Sequence, residues 1–214
     1  GNLTSVSDSA NVYYGNIGIE IRGQSSANYP QKPYRFETRD SIGENNNVSL
    51  LGMPEENDWV FLSNYNDKTF LRNLLAQDLF TSMGHYAPRL TLCEVLIDSL
   101  YQGIYLIGEN IKRDVGRVDI ATLNPLENSG DEMTGGYIFK SDLANSGNSW
   151  TSNYSPIDHP DFEVDFVYHY PKQDDITTQQ KDYLASFVDS METRLYAPSY
   201  ADETDGFRSM MDEL

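Results

Sequence analysis

The alternation of hydrophobic and polar positions predicts a β-rich first part of the chain. Ile17, Ile19 and Ile21 alternate with polar residues, which predicts a half-buried strand. Similar short apolar runs predict further strands at residues 32–37, 58–62, 90–97, 102–107, 137–140 and 164–170. The strands at 90–97 and 102–107 are close enough in the chain to form an antiparallel hairpin.

Two stretches have the 3.6-residue spacing of amphipathic helices. The first is predicted over 67–83, where Gly84 follows in the position that usually ends a helix. The second is predicted over 178–196, and Thr177 with Gln180 has the spacing of a capping box at its start. Strands followed by one helix, and a second helical portion only begun, predict an α+β fold with an antiparallel sheet and one packed helix.

The predicted elements are unevenly distributed along the chain. The predicted sheet and the first helix lie within residues 1–140. A polar loop over 141–162 follows, and then come one strand, the second helix and the start of another.

The charge of the chain excludes some functions. A formal net charge of −18, without a basic cluster large enough to offset it, makes nucleic acid an improbable partner. The same acidity suits divalent cations, basic protein partners or simple solubility. The sequence contains no apolar run long enough for a membrane span, and it opens without the apolar segment of a signal peptide. The single cysteine, Cys93, is expected to be a small buried hydrophobe.

Asp78 has an unusual position, because it falls within the apolar stripe of the first predicted helix. A buried carboxylate needs a cation, and a neighbouring strand offers Lys32 and Arg35 on its opposite faces. One interpretation is a structural ion pair, or a helix end that lies near water. The other is an ordered pair in which Asp78 positions a phosphate-binding cation.

Two further places could bind phosphate. The small-residue turn that contains Ser25 and Ser26 could present hydroxyl and backbone N–H groups to an anion, although a plain polar turn is the simpler interpretation. Lys112 and Arg113 belong to the densest local group of cations, which could also be a solvated, self-paired cluster.

Other chemistries find less support in the sequence. The three histidines lack metal-ligand spacing, and no Gly-x-Ser-x-Gly motif is present. The sequence does not exclude a carbohydrate-processing enzyme, because the two catalytic carboxylates of such an enzyme come together only in the folded protein.

Several strings, taken together in this order and spacing, resemble those of the spore-coat-protein-H (CotH) kinase family. They are GQSS at 23–26 with KPYR at 32–35; DWVFLSNYNDK at 58–68; RN at 72–73, DL at 78–79 and APR at 87–89; YQGIY at 101–105 with ENIKRD at 109–114 and RVDI at 117–120; and GGYIFK at 135–140. The resemblance runs from about residue 17 to residue 140.

The resemblance implies an atypical kinase-like fold, with residues 1–140 as a mainly β N-lobe and 141–214 as the start of a C-lobe. It also implies ATP with Mg²⁺, and phosphorylation of serine or threonine on protein substrates or partners outside the cytoplasm or at a cell or spore surface. Our candidates for the nucleotide-phosphate side are Ser25, Ser26, Lys32, Arg35, Asp78, Lys112 and Arg113.

The family's catalytic and metal-binding aspartates lie in later segments, an Asp followed by an Asn and a Trp-Asp motif. Neither Trp59 nor Trp150 is followed by Asp, so no catalytic base and no metal ligand is carried over. We expect this chain to be inactive alone as a kinase. The alternative is a non-catalytic interaction or adhesion module of a surface protein that keeps the fold without the chemistry.

Overall fold

The computed structural model describes residues 8–10, 12–144 and 146–211, and these form an antiparallel α+β fold, as the sequence predicts. The described strands are β1 (Asn16–Ile21), β2 (Tyr34–Arg39), β3 (Asp58–Ser63), β4 (Leu90–Ile97), β5 (Leu100–Glu109), β6 (Ile138–Ser141), β7 (Ser149–Thr151) and β8 (Asp165–Tyr170). The described α-helices are α1 (Arg72–Ser82), α2 (Thr178–Tyr196) and α3 (Arg208–Met211).

The chain forms two compact units, Gly1–Asp119 and Ile120–Leu214. This division lies before the boundary expected near residue 140, because β6 pairs with β8 and so belongs to the second unit. The assignment of the two parts to kinase lobes stays a prediction.

The first unit is built on a five-stranded antiparallel sheet with the order β1-β2-β3-β5-β4. The predicted hairpin between β4 and β5 is confirmed. Asp98 and Ser99 form its turn with φ values of 49° and 64°, the left-handed pair of a tight hairpin. Cys93 on β4 is half-buried, and its burial raises the pKa of the thiol to about 11.

The core of the first unit lies against one face of β2 and β3. Phe36 and Trp59 are opposite each other in the register of these strands and pack with Leu50 and Met53 from the preceding loop. The Trp59 side chain is fully buried, and Phe36 stacks on Phe61 at 4.7 Å between ring centroids. This aromatic layer fixes the centre of the sheet.

β1 forms as predicted, but the expectation that one of its two faces is buried is wrong, because all six of its residues are exposed. Ile17, Ile19 and Ile21 are 45%, 46% and 52% exposed. The reason is that β1 is at the edge of the sheet and, among the described elements, β2 is the one that contacts it extensively, so its apolar face stays uncovered. Alternation predicts the strand, but it does not say whether anything covers the apolar face.

The first helix is shorter than predicted. α1 begins at Arg72 rather than near residue 67, because Phe70 has a φ of 60° that no helix accommodates. The Asp67 carboxylate accepts a hydrogen bond from the Arg72 N–H at 2.9 Å and so caps the helix from outside. Gly84 follows the helix with a φ of 92°, as the sequence predicts.

The second unit pairs β6, β8 and β7, in that order, and packs helix α2 against them. The predicted helix over 178–196 is confirmed, together with its capping box between Thr177 and Gln180. Its core includes Tyr168, Leu184 and Val188. β7 lies within the loop predicted over 141–162, where three residues are too short for alternation to reveal a strand.

A buried ion pair lies at the end of β5. Glu109 and Arg117 are 2% and 3% exposed, and the Arg117 Nε is 3.5 Å from a Glu109 carboxylate oxygen. Glu109 also accepts hydrogen bonds from the Arg89 guanidinium at 2.6 Å and the Arg89 N–H at 2.9 Å. The Arg117 guanidinium lies over the Trp59 ring, 4.8 Å from its centroid. One carboxylate therefore links three segments of the first unit.

Replacing Glu109 with glutamine should lower the free energy of unfolding by about 3–5 kcal/mol, because the buried Arg117 cation loses its counter-charge. Urea titration with Trp59 fluorescence measures this, in a background where Trp150→Phe leaves Trp59 as the single tryptophan. Glu20→Gln is the matched control, since that carboxylate is 56% exposed and its loss should cost less than about 1 kcal/mol. Equal losses in the two variants would contradict the central role of Glu109.

Candidate functional site

The turn that joins β1 to β2 is compact and requires glycine at its first position. Gly23 has a φ of 84°, and a Cβ added there would lie 2.2 Å from the Ser26 hydroxyl oxygen. Residues Ser26–Asn28 form a single 3-10 turn, in which the Asn28 N–H donates to the Ser25 carbonyl at 3.1 Å. The turn therefore brings Ser25 and Ser26 to one corner of the sheet.

Lys32 closes this turn from the β2 side. Its ammonium group donates a hydrogen bond to the Ala27 carbonyl at 2.8 Å. Its own carbonyl accepts a hydrogen bond from the Tyr105 hydroxyl at 2.9 Å, which ties the end of the turn to strand β5. An ammonium group has three protons, so Lys32 can hold the turn and still donate to an anion.

Arg22 is the site residue that sequence reasoning missed. Its side chain is half-buried, and within the described ranges it forms no salt bridge with a carboxylate. Burial, and then repulsion from Arg35, lowers the pKa of Arg22 below its ordinary value. In the sequence, its position directly before the glycine turn could have indicated a role for Arg22 in the site. Only the fold shows that Arg35 is close enough to repel it.

Arg35 forms an exposed ion pair with Glu20, its partner in the register of β1 and β2. This pair is worth little by itself, because both groups are well solvated. Three cations, Arg22, Lys32 and Arg35, therefore flank the turn at this corner of the sheet, and Glu20 pairs with one of them. In a chain with a net charge of −18, this corner has a local excess of positive charge.

We define the phosphate corner as Arg22, Ser25, Ser26, Lys32 and Arg35. Ser25 is exposed and Ser26 is partly exposed, so an incoming ligand can reach both hydroxyls. Hydroxyl donors next to guanidinium and ammonium groups match the oxygens of phosphate, which accept several hydrogen bonds at once. The arrangement is therefore suited to binding an anion with several oxygens.

Asp78 does not join the phosphate corner, and the predicted ion pair is wrong. Its side chain is exposed on α1, a helix without any buried residue, and it pairs with neither Lys32 nor Arg35. The helix turns its leucines outward as well, so the apolar stripe does not place Asp78 in a buried environment. The structural argument for Asp78 as a partner of a phosphate-binding cation is therefore lost.

Lys112 belongs to a different part of the first unit. Its ammonium group forms salt bridges with Glu56 at 3.1 Å and Asp58 at 2.7 Å. Burial acts to lower the pKa of Lys112, but the hydrogen bonds to Asp58 and Glu56 outweigh it and raise the pKa. Two carboxylates already neutralise this cation. The phosphate role predicted for Lys112 and Arg113 stays a prediction.

The described residues contain neither a metal-binding cluster nor a membrane helix. No group of three or more His, Cys, Asp or Glu side chains within 8–10, 12–144 and 146–211 is arranged to hold a metal ion. Over the same ranges, no helix has both the length and the apolar composition needed to cross a bilayer.

Comparison with known proteins extends the resemblance beyond the motifs. No curated protein matches the chain. A family model described as CotH kinase protein matches residues 19–213, well beyond the 17–140 stretch on which the resemblance was based. This match begins within β1 and includes the other described strands, the phosphate corner and helix α2. The chain therefore belongs to the CotH kinase family.

Proposed function

We propose that this chain supplies the nucleotide-phosphate side of a protein kinase that uses ATP and Mg²⁺ to phosphorylate serine or threonine residues of a protein at a cell or spore surface. The observation that carries the proposal is Arg22. Its half-buried guanidinium lies beside Arg35, and it has no carboxylate partner in the described part of the chain.

A triphosphate would relieve an electrostatic cost that the free protein carries. Two neighbouring guanidinium groups repel each other, and partial burial weakens the screening by water. A polyanion placed between Arg22 and Lys32 would replace this repulsion with attraction. Because the rest of the chain is strongly acidic, anions should concentrate at this corner rather than elsewhere.

Each residue of the phosphate corner has a distinct role in the proposal. Arg22 and Lys32 bind phosphate oxygens directly, and Arg35 adds positive charge while Glu20 holds its position. Ser25 and Ser26 donate hydroxyl hydrogen bonds from the turn. Mg²⁺, when bound with the nucleotide, would neutralise charge on the phosphate oxygens.

Family membership makes the chain kinase-like and supports, in general terms, nucleotide and metal use, protein substrates and an association with a surface. ATP as the nucleotide, serine or threonine as the acceptor, and the surface location are our proposals. No catalytic base is assigned, so we expect this chain to bind nucleotide without transferring phosphate alone.

Arg22→Gln and Lys32→Met should each weaken ATP–Mg²⁺ binding at least about tenfold, or about 1.4 kcal/mol, because each removes a charge that faces the phosphates. Isothermal titration calorimetry of the 214-residue chain measures this. Arg39→Gln and Asp78→Asn are the matched controls, since Arg39 is at the end of β2 away from the turn and Asp78 is exposed on α1, and they should leave the dissociation constant within about twofold.

The same measurements define the results that would contradict the proposed nucleotide site. If all four variants bind ATP–Mg²⁺ like the unsubstituted chain, the nucleotide does not use the phosphate corner. If the unsubstituted chain shows no binding at all, the non-catalytic interaction module becomes the better description.

Gly23→Ala should weaken ATP–Mg²⁺ binding, whereas Gly43→Ala should not. Both glycines have left-handed backbones, with φ values of 84° and 91°, so each substitution should cost about 1 kcal/mol of stability. A Cβ at residue 23 must also displace the Ser26 hydroxyl, whereas a Cβ at residue 43 meets nothing within 4 Å. Urea titration and calorimetry separate the two effects, and equal affinities in both variants would rule out a role for the shape of the turn.

A further inference from the structure

The edge strand β1 has unused backbone hydrogen-bonding groups. The Arg22 N–H donates to the Pro33 carbonyl at 3.0 Å, which sets the pattern along the pair β1–β2. In an antiparallel ladder, alternate residues direct both polar groups to the same neighbour. Glu20 and Gly18 therefore point to β2. The intervening residues Ile17, Ile19 and Ile21 point away from it, where no strand of the described chain lies.

One row of side chains at this edge lacks the usual protection against strand pairing. The same three isoleucines are about half exposed and form one apolar row. Edge strands are normally blocked by a charged residue, a proline or a bulge, and the row of Ile17, Ile19 and Ile21 contains none of these. The charged side chain of β1, Glu20, lies on the opposite face and pairs with Arg35. Open polar groups and an apolar row together form a surface for another strand.

We propose that a second copy of this chain pairs with this edge, β1 against β1, antiparallel across a two-fold axis at Ile19. In this register, Ile19 is opposite Ile19 of the second copy, and Ile17 is opposite Ile21. All three are residues whose backbone groups point outward, so the pair forms about six new hydrogen bonds. The surface is self-complementary, as a two-fold interface requires.

The other face of β1 supports the same register. Here Gly18 is opposite Glu20 of the second copy, which keeps the two Glu20 carboxylates apart. A Cβ added to Gly18 would meet only the Arg39 Nε, at 3.9 Å, so the space above Gly18 is open. A groove of about 380 Å³ lies there, and its charged lining consists of two ion pairs, Arg35 with Glu20 and Arg39 with Glu37. The incoming Glu20 carboxylate therefore enters beside guanidinium groups that each already have one carboxylate partner.

The interface is small, and its affinity should be modest. Six residues from each copy bury less surface than the roughly 1,200–2,000 Å² of stable complexes, so the dimer forms reversibly and depends on concentration. The tests below use no nucleotide, so their outcome can be told apart from that of the nucleotide-binding test.

Sedimentation equilibrium of the 214-residue chain, between about 5 and 500 μM, tests the pairing. The mass should rise from 24.3 kDa towards twice that value. Ile19→Lys should stay monomeric, because a charge in the apolar row blocks the second strand. Ile42→Lys is the matched control, since Ile42 is 81% exposed and lies outside the strands; it should dimerise like the unsubstituted chain. Circular dichroism confirms that both variants are folded.

Cysteine cross-linking tests the register, in a background with Cys93→Ser. Ile19→Cys should give a disulfide-linked dimer on mild oxidation, because paired residues have Cα atoms about 5.5 Å apart. Ile17→Cys should not give a linked dimer, because residue 17 is opposite residue 21 of the second copy. The Cα atoms of the two residues 17 are therefore at least about 13 Å apart. The double variant Ile17→Cys with Ile21→Cys should cross-link again.

Three results would overturn the proposal. The unsubstituted chain could stay monomeric over the whole concentration range. Ile19→Lys could dimerise as well as Ile42→Lys, which would place the interface elsewhere. Ile17→Cys could cross-link as fast as Ile19→Cys, which would exclude the two-fold register.

Discussion

The first unit depends on one buried carboxylate, that of Glu109. Arg89, Tyr86 and Arg117 reach it from segments before and after β5, and Arg117 in turn covers the Trp59 ring. The cost of burying these charges is offset only because several donors share the same two oxygens. The network holds together the end of the sheet where β3 and β5 meet, next to the aromatic core that contains Trp59.

Away from that network, the first unit leaves polar and apolar groups without partners at its margin. The phosphate corner has an excess of positive charge because Arg22 lacks a carboxylate partner in the described chain. Within the described residues, the edge strand β1 has no strand beside the backbone groups of Ile17, Ile19 and Ile21. Both features involve β1 or the turn that follows it. The two proposals above therefore concern the margin of the first unit and not its core.

The distribution of charge makes this margin stand out. Residues 120–214 contain 18 acidic and five basic residues, whereas residues 1–119 contain 15 acidic and ten basic residues. Most of the net negative charge therefore belongs to the second unit. Three of the ten cations in the first unit belong to the phosphate corner, which is why we propose an anion site there in a chain so acidic overall.

The sequence by itself determined the features that depend on neighbours along the chain. Helix α2 with its capping box and the hairpin turn at Asp98 and Ser99 both follow from local patterns. Only the tertiary structure decided which apolar surfaces are covered. The fold places β1 at the edge of the sheet and leaves Asp78 exposed to solvent. It also places Arg22 close enough to Arg35 for the two charges to repel each other. Burial and electrostatic repulsion depend on groups from distant parts of the chain, and the periodicity of one segment contains no information about them.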